Sequence, residues 1–269
     1  MQQETTETAP FLLTQEQGLA IISINRAPWN MMSMEFMDQL ELLLPKLKAD
    51  NSVRALLFTA EGNDNFSAGM DLKQIIAKAG DPIAISSIFD QRLRVLSAIE
   101  NLGKPVIATL FGFCLGGGLE LPMACHFRLA AREGCQIGLP EMDLGTVPAW
   151  GGSARLTRLV GRMHALDIIL RAKRIDGPEA YRIGLVNEVV DNDKLKERAI
   201  ELGLELASAP PLAVREIMPV IIKGSDLSQE ESLRMERQAV LSTMGSAENQ
   251  EGMMAFLEKR KPQFANLAD

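Results

Sequence analysis

Residues 112–121, Gly-Phe-Cys-Leu-Gly-Gly-Gly-Leu-Glu-Leu, contain the residue types in this chain that are best suited to chemistry. An apolar segment, 105–111, leads into three consecutive glycines, and helix-compatible residues follow over 119–124. Glycine lets the backbone approach a ligand closely because it has no Cβ, and the N–H groups that begin a helix point outward with the positive end of its dipole. Glu120 lies three residues after Gly117. This spacing predicts a backbone site for an anion, or for an oxygen that becomes anionic during a reaction, beside an acid/base carboxylate.

Two further segments, 66–73 and 138–152, each follow the end of a strand-like run. The first contains Gly69, and the second contains Glu141. Each feature has an ordinary interpretation when it is taken alone. Gly69 would be a turn residue, the glycines at 116–118 would allow a helix to pack tightly on a sheet, and Glu141 would be a surface acid at a helix start. The order and joint presence of the three segments instead favour a shared site.

The elements that must position these segments alternate between strand and helix patterns, which is typical of an α/β fold with mostly parallel pairing. Ser33 is expected to cap a helix, and Pro45 is expected to kink or end that helix. The predicted strands span residues 19–25, 53–60, 105–111, 126–131 and about 135–139. The predicted helices in this half span about 83–101, 119–124 and 153–170.

The second half of the chain has helical apolar spacing almost throughout. Its predicted helices span residues 177–183, 193–209, 213–222, 229–243 and 249–259. We therefore predict an α/β core over residues 1–200, which carries the site, and an appended helical region over residues 201–269.

Composition excludes several classes of function. The 269 residues are 46% hydrophobic and 23% charged, which is ordinary for a globular protein. The net charge of −7 argues against a general nucleic-acid binder, which would present a basic face. A phosphorylated ligand would therefore need a local cluster of Lys and Arg.

The cysteines and the N-terminal residues indicate a cytoplasmic location. Cys114, Cys125 and Cys135 have no metal-type spacing, so we expect buried structural thiols, a reducing compartment and no metal site. Residues 1–10 carry no Lys or Arg and no apolar core, so no secretory signal is expected. No apolar run reaches the roughly 20 residues of a membrane span, so no membrane partner is expected.

Taken together, the segments resemble the three signatures of the enoyl-CoA hydratase/isomerase family, also called the crotonase superfamily. The resemblance rests on Phe-Ser-Ala-Gly-Met-Asp-Leu-Lys at 66–73, on residues 112–121, and on Pro140-Glu141, Leu144-Gly145 and 148–158; it extends from residue 19 to residue 264. It implies a spiral α/β core of repeated ββα units. It also implies that residues 201–269 serve trimerisation and cover the CoA, in a homotrimer or a dimer of trimers.

The resemblance assigns roles to individual residues. The backbone N–H groups of Met70 and Gly117 would form an oxyanion hole for a thioester carbonyl that becomes an enolate. Glu120 and Glu141 stand where hydratases of the family keep two acid/base carboxylates, with Glu120 as the base toward water and Glu141 as the acid toward the α-carbon. The implied substrate-binding residues are Pro28, Trp29, Ala68, Met70, Asp71, Leu72, Lys73, Gly117 and Trp150.

The implied function is an enoyl-CoA hydratase that adds water across the 2,3 double bond of an acyl-CoA, with no cofactor other than the CoA of its substrate. An isomerase, or another enolate chemistry in which Glu141 works alone, is the alternative. A non-catalytic acyl-CoA-binding relative is a further one. A nucleotide-binding dehydrogenase is rejected, because Leu121 stands where the Gly-x-Gly-x-x-Gly pattern requires glycine.

Several residues depart from the usual family pattern or need a separate interpretation. Trp150 stands where a small residue is more common, so its ring is expected to shorten or reshape the acyl pocket. His126 and His164 are interpreted as structural. Residues 259–261, Lys-Arg-Lys, are placed in the terminal helix, where they would supply positive charge near a CoA.

Overall fold

A six-stranded sheet lies at the centre of the computed structural model, which describes residues 9–264. The strands are β1 Phe11–Glu16, β2 Leu19–Ile24, β3 Ala55–Ala60, β4 Val106–Leu110, β5 Phe113–Leu115, β6 Phe127–Ala131, β7 Gln136–Gly138 and β8 Glu188–Val190. The large sheet has the order β1-β2-β3-β4-β6-β8, and β5 and β7 form a second, parallel pair. Only β1 and β2 pair antiparallel within the described residues; the other pairs are parallel. The predicted α/β class is therefore confirmed.

Ten α-helices surround or extend the sheets between residues 9 and 264. They are α1 Met34–Ala49, α2 Leu72–Ile76, α3 Pro82–Glu100, α4 Gly117–Ala124, α5 Gly152–Leu170, α6 Gly177–Arg182, α7 Leu195–Ala207, α8 Pro211–Gly224, α9 Gln229–Thr243 and α10 Ala247–Leu257. Two short 3₁₀ turns span Pro140–Leu144 and Asn192–Lys194. Ser33 caps α1 as predicted, since its hydroxyl accepts a hydrogen bond from the Phe36 N–H.

The structure differs from the helix predictions at three places. Of the two effects expected of Pro45, an end of the helix does not occur, because α1 continues to Ala49 and buries Leu47; packing of the apolar face outweighs the one donor that proline lacks. The backbone of α5 is interrupted at Gly161, which has φ 76°. The terminal helix ends at Leu257, so the three cations at 259–261 lie beyond it.

Strand β1 was not predicted, and neither was the three-residue β8. The sequence of β1, Phe-Leu-Leu-Thr-Gln-Glu, has no alternation of apolar and polar residues. Leu12 and Leu13 both stay more than two-fifths exposed, because β1 is an edge strand that is only partly covered.

The parallel strands direct their following loops to one edge of the sheet. Residue 61 follows β3 and residue 111 follows β4 at this edge, and the loops after them carry the candidate chemistry. This is the edge at which open parallel sheets bind ligands. No helix of the described residues is long and apolar enough to cross a membrane. Residues 1–8, most of the segment 1–10 for which no secretory signal is expected, and residues 265–269 lie outside the described part of the chain.

Candidate active site

The three glycines at 116–118 are each required by a close neighbour. A Cβ on Gly117 would lie 2.5 Å from the Trp150 ring, and one on Gly118 would collide with the Ser67 carbonyl oxygen. Gly116 has φ 53°, which L side chains rarely adopt, and a Cβ there would lie 3.0 Å from Glu141 Oε1. Tight packing on a neighbouring segment and close approach to a carboxylate therefore apply together, at neighbouring glycines.

Gly117 is the first residue of α4, so its N–H belongs to the turn whose amides have no intrahelical acceptor. Gly116 accepts the first helical bonds, from Leu119 and Glu120. The Gly117 amide thus remains directed at the space in front of the helix, where the positive end of the dipole favours an oxyanion.

The direction of the Met70 N–H follows from a parallel bridge between Met32 and Met70. The Met32 N–H donates to the Gly69 carbonyl at 2.8 Å, and the Asp71 N–H donates to the Met32 carbonyl at 3.1 Å. Since N–H groups of successive residues in an extended chain point to opposite sides, the Met70 N–H is directed away from Met32.

Gly69 brings the two donors together. Its φ is 99°, and a Cβ on it would lie 2.6 Å from the Leu115 carbonyl oxygen and 3.5 Å from the Gly117 nitrogen. The Gly69 N–H is fixed by the Ser67 hydroxyl at 3.0 Å. The peptide that carries the Met70 amide therefore lies against the start of α4, as an oxyanion hole requires.

Glu120 lies on α4 with only 2% of its surface exposed. Its Oε1 accepts hydrogen bonds from the backbone N–H groups of Trp150 and Gly152, each at 2.8 Å. The pKa of Glu120 is raised to about 7, chiefly by burial and also by the charge of Glu141, while the hydrogen bonds from the Trp150 and Gly152 amides and the charge of Arg155 act in the opposite direction. The carboxyl group can therefore exchange a proton at neutral pH.

Glu141 lies in the 3₁₀ turn that follows β7, with its Oε1 over Gly116. Burial raises its pKa. Its Oε2 is buried and has no hydrogen-bond partner among the described residues. A buried carboxylate oxygen without a donor is costly when ionised, so this environment favours the protonated acid.

The two carboxyl groups are close enough to interact, since the charge of the half-buried Glu141 raises the pKa of Glu120. Glu120 has two amide donors that suit a carboxylate, whereas Glu141 has an oxygen that needs a proton or a ligand. Environments that separate two carboxyls in this way are typical of an acid/base pair.

Trp150, which is only 2% exposed, contacts both Gly117 and Glu120. Its ring lies against Gly117, and its backbone N–H donates to the Glu120 carboxylate. Its carbonyl accepts a hydrogen bond at 2.9 Å from Arg155, which also pairs with Glu100 on α3.

The turn at residues 26–30 lies beside the 66–73 segment, as expected for one binding surface. The Ala68 N–H donates to the Trp29 carbonyl at 2.9 Å. The Trp29 ring, which is half-exposed, stacks on Phe113 with centroids 5.7 Å apart. Pro28, at a cis peptide bond, accepts from Asn65 through its carbonyl.

The remaining predicted binding residues line the start of α2. Asp71 caps this helix by accepting from the Lys73 N–H, and Leu72 and Lys73 are exposed. Of the cations at 259–261, Arg260 is held by Glu251 at 2.6 Å and by Glu258. Its charge is thus already matched within the described residues.

Sequence reasoning missed two asparagines that organise the site. Asn65 donates to the Pro28 carbonyl and accepts from the Phe113 N–H, which joins three segments. Asn30, fully buried with φ 47°, donates to the carbonyls of Glu61 and Asn65 and accepts from the Arg26 N–H. Asparagine tolerates this left-handed backbone, so its place in a turn-like segment was the available signal.

The structural interpretations of His126 and of the cysteines are confirmed. His126 accepts from the Val106 N–H at 2.9 Å and lies 3.1 Å from the Glu100 carbonyl, so both ring nitrogens are used. Cys114, Cys125 and Cys135 are buried and free. No cluster able to hold a metal occurs in the described residues.

Comparison with known proteins gives the same answer as the geometry. The model of the enoyl-CoA hydratase/isomerase family matches residues 14–267. A probable enoyl-CoA hydratase of Bacillus subtilis is 36% identical over 253 residues, which cover 94% of this chain and 97% of that protein. A short-chain-enoyl-CoA hydratase of Clostridium acetobutylicum is 34% identical over 93% of this chain and 95% of its own length.

Solved structures show the same fold. The crystal structure of an enoyl-CoA hydratase from Bacillus anthracis has a TM-score of 0.90 and 33% identity, and the match covers 96% of this chain and all of that one. With a match of this length, a common fold and the glycine-rich site in place, the chain belongs to the enoyl-CoA hydratase/isomerase family, the crotonase superfamily.

Proposed function

We propose that this protein is an enoyl-CoA hydratase that adds water across the 2,3 double bond of a 2-enoyl-CoA. One observation carries the proposal: the buried carboxyl group of Glu120 and the half-buried one of Glu141, whose Oε2 is itself buried, flank the glycines of the proposed oxyanion hole. Water addition needs one group that accepts a proton and one that donates a proton. Relatives named as hydratases at about a third identity support the same chemistry.

In the proposed reaction the N–H groups of Met70 and Gly117 hold the thioester oxygen as negative charge develops on it. Glu120, as a carboxylate, takes a proton from water while the water oxygen bonds to the β-carbon. Glu141 gives its proton to the α-carbon, and the enolate returns to the thioester. Each oxyanion-hole donor typically lowers such a barrier by about 3 kcal/mol, so both the hole and the proton transfers contribute substantially.

The CoA arm is proposed to run along residues 68–73 and the Pro28–Trp29 turn, which the Ala68–Trp29 hydrogen bond holds together. Lys73, exposed at the start of α2, is the proposed phosphate partner. No cofactor beyond the substrate's CoA is required. The buried free thiols fit the proposed cytoplasmic location.

A homotrimer or a dimer of trimers is proposed for the assembly, with residues 201–269 as the contact region. In that region α8 buries no residue against the rest of the chain. Apolar side chains such as Ile221, Phe256 and Leu257 stay more than two-thirds exposed. An unpartnered apolar surface of this kind marks an interaction site.

The test is hydration of 2-butenoyl-CoA, followed by loss of the conjugated-thioester absorbance and by mass-spectrometric gain of one water. Glu120→Gln and Glu141→Gln should each lower turnover by about a hundredfold or more, the usual contribution of an acid/base group. Glu230→Gln, an exposed residue of α9, serves as the matched control and should keep the wild-type rate. Near-wild-type hydration by both site variants would refute the proposal.

The alternatives predict different outcomes of the same experiment. An isomerase would need only Glu141, so Glu120→Gln would be nearly silent while double-bond migration continued. A non-catalytic relative would bind acyl-CoA tightly but convert none of a panel of enoyl-CoAs.

A further inference from the structure

Arg92 is a buried cation beside the candidate active site whose charge the site chemistry above does not use. It lies on α3 with 1% of its surface exposed, in line with Val95, Leu96 and Ile99, which are otherwise the buried apolar face of that helix. A strongly hydrated charge is expensive at such a position unless it is paired.

The pairing of Arg92 is incomplete. Its Nη1 donates to the Ile88 carbonyl at 3.2 Å and to the Gln91 side-chain oxygen at 2.6 Å. Its Nε is buried and has no hydrogen-bond partner, and no carboxylate of the described residues forms an ion pair with the guanidinium. The nearest acids, Asp38 and Glu41 of α1, act on it from a distance, and both are bound by Gln91 instead.

The Trp150 side chain lies between the Arg92 guanidinium and the proposed reaction centre at Gly117. The guanidinium carbon lies over the Trp150 ring, 5.9 Å from its centre, and atoms of the same ring lie against Gly117. Gly117, the Trp150 indole and Arg92 are thus in successive contact.

The direction of the acyl group follows from the catalytic contacts. With the thioester oxygen at Gly117 and Met70, the β-carbon must lie within reach of Glu120, whose carboxylate is bound to the 150–152 loop. Helix α3 is the next layer beyond that loop: Leu93 approaches Gly151, and Arg92 covers Trp150. The substituent on the β-carbon is therefore directed toward α3.

From this arrangement we propose that Arg92 recognises a carboxylate at the far end of the acyl group, so that the preferred substrates are short 2-enoyl-CoA thioesters with an anionic terminus. The proposal rests on the hydratase function proposed above. A guanidinium presents two parallel N–H donors that match the two oxygens of a carboxylate. A carboxylate on the ligand would supply the ion-pair partner that Arg92 lacks among the described residues. Arg92 and Trp150 together also leave little room for a long alkyl chain.

Binding of non-reactive, saturated thioesters tests the proposal independently of turnover. Glutaryl-CoA and butyryl-CoA differ by one terminal carboxylate, and the amide of glutaryl-CoA is its neutral isostere. We expect isothermal titration calorimetry to show that the wild-type protein binds glutaryl-CoA at least tenfold more tightly than either neutral ligand. Equal affinity for the three ligands, or weaker binding of the acid, would overturn the proposal without any variant.

The variant Arg92→Met should bring the ratio of the acid and amide dissociation constants to about one, and Arg92→Lys should restore part of it. Arg94→Met, which removes an exposed arginine of the same helix, should keep the wild-type ratio. A preference for the acid that survives in a folded Arg92→Met protein would refute the role of Arg92.

Turnover separates this proposal from the one on which it rests. Hydration of 4-carboxybut-2-enoyl-CoA with a higher kcat/KM than 2-butenoyl-CoA supports both. Hydration with the opposite preference keeps the hydratase function and refutes the carboxylate site. Selective glutaryl-CoA binding without hydration of either substrate keeps the carboxylate site and refutes the hydratase function.

Discussion

Gly117 has no Cβ, and this lets the Trp150 indole pack directly against the backbone of Gly117. The variant Gly117→Ala would place a Cβ 2.5 Å from that ring, so either the ring or the amide must move. We expect kcat/KM to fall about a hundredfold, the usual effect of losing one oxyanion-hole donor. Steady-state kinetics on 2-butenoyl-CoA would measure this.

Gly80→Ala is the matched control, because a Cβ at Gly80 meets no atom within 4 Å and its φ is not positive. It should leave kcat/KM unchanged. Full activity of Gly117→Ala would show that its amide does not hold the oxyanion.

We predict that the ionised carboxylate of Glu120 lowers the free energy of unfolding at alkaline pH. Its folded pKa of about 7 lies above its ordinary value of 4.5, so the unfolded chain gives up this proton more readily and folding becomes less favourable as pH rises between these values. The variant Glu120→Gln removes the titration and keeps an oxygen for the Trp150 and Gly152 amides. At about 1.4 kcal/mol per pKa unit, it should raise the free energy of unfolding by about 3 kcal/mol at pH 8.

Urea unfolding of the wild-type protein and of Glu120→Gln at several pH values would measure the difference. It should shrink below about 1 kcal/mol at pH 5, because the native Glu120 is then protonated and no longer carries a buried charge. A stability gain that did not depend on pH would contradict the assigned pKa.

At the scale of elements, the His126 side chain links α3, β4 and β6. It accepts from the N–H that begins β4 and contacts the last carbonyl of α3, while β6 follows it directly. Burial lowers its pKa below 6.5. Its contribution to stability is therefore fully present above pH 6.5 and is lost as pH falls through the folded pKa, because protonation removes the acceptor for Val106.

We expect His126→Gln to be less stable than the wild-type protein at pH 8, by about 1–3 kcal/mol for a disrupted buried hydrogen-bond pair. The gap should narrow toward pH 5. Thermal unfolding across this range, with His164→Gln on α5 as the control, would measure it. A gap that widened on acidification would refute the neutral assignment of His126.

The elements that could be predicted are those with strong local patterns. The apolar strand before the glycines, the cap at Ser33 and the order of strands and helices need only neighbouring residues to be understood. The contacts that complete the site are long-range. Glu120 receives amides from residues 150 and 152, thirty or more positions away, and no local pattern encodes that distance.

Arg92 shows where a signal existed and was not used. It continues the spacing of Val95, Leu96 and Ile99, so a charged residue occupies a position that the helix buries. Pro45 is a local signal for a helix end that the packing overrides. Burial of Leu44 and Leu47 on either side of it lets α1 continue through that point.

At the scale of the whole molecule, several large apolar side chains are exposed in the last third of the chain. Phe256 is 82% exposed and Leu257 is 76% exposed, and α8 has no buried residue. Introducing a charge there, as in Phe256→Glu, should dissociate the proposed oligomer because it would desolvate an unpaired carboxylate in the contact. Light scattering coupled to size-exclusion chromatography would show a shift toward the monomer mass.

Leu42→Glu, at a 69% exposed position of α1, is the control for adding a charge to an apolar surface residue elsewhere. It should keep the wild-type mass. A monomeric wild-type protein at micromolar concentration would refute the oligomer itself.

Residues 68–70 have a double attachment. The Ala68 N–H donates to the Trp29 carbonyl, in the turn on which the CoA is proposed to lie, and the Met70 N–H, two residues on, is the proposed donor to the reacting oxygen. Binding of the CoA nucleotide at the Trp29 turn can therefore orient the Met70 N–H toward the thioester oxygen. Binding energy from a remote part of the substrate would then lower the barrier to reaction. We therefore expect a pantetheine thioester, which lacks the nucleotide part of CoA, to show a lower kcat as well as weaker binding. The part of the substrate farthest from the double bond would then contribute to the rate of its hydration.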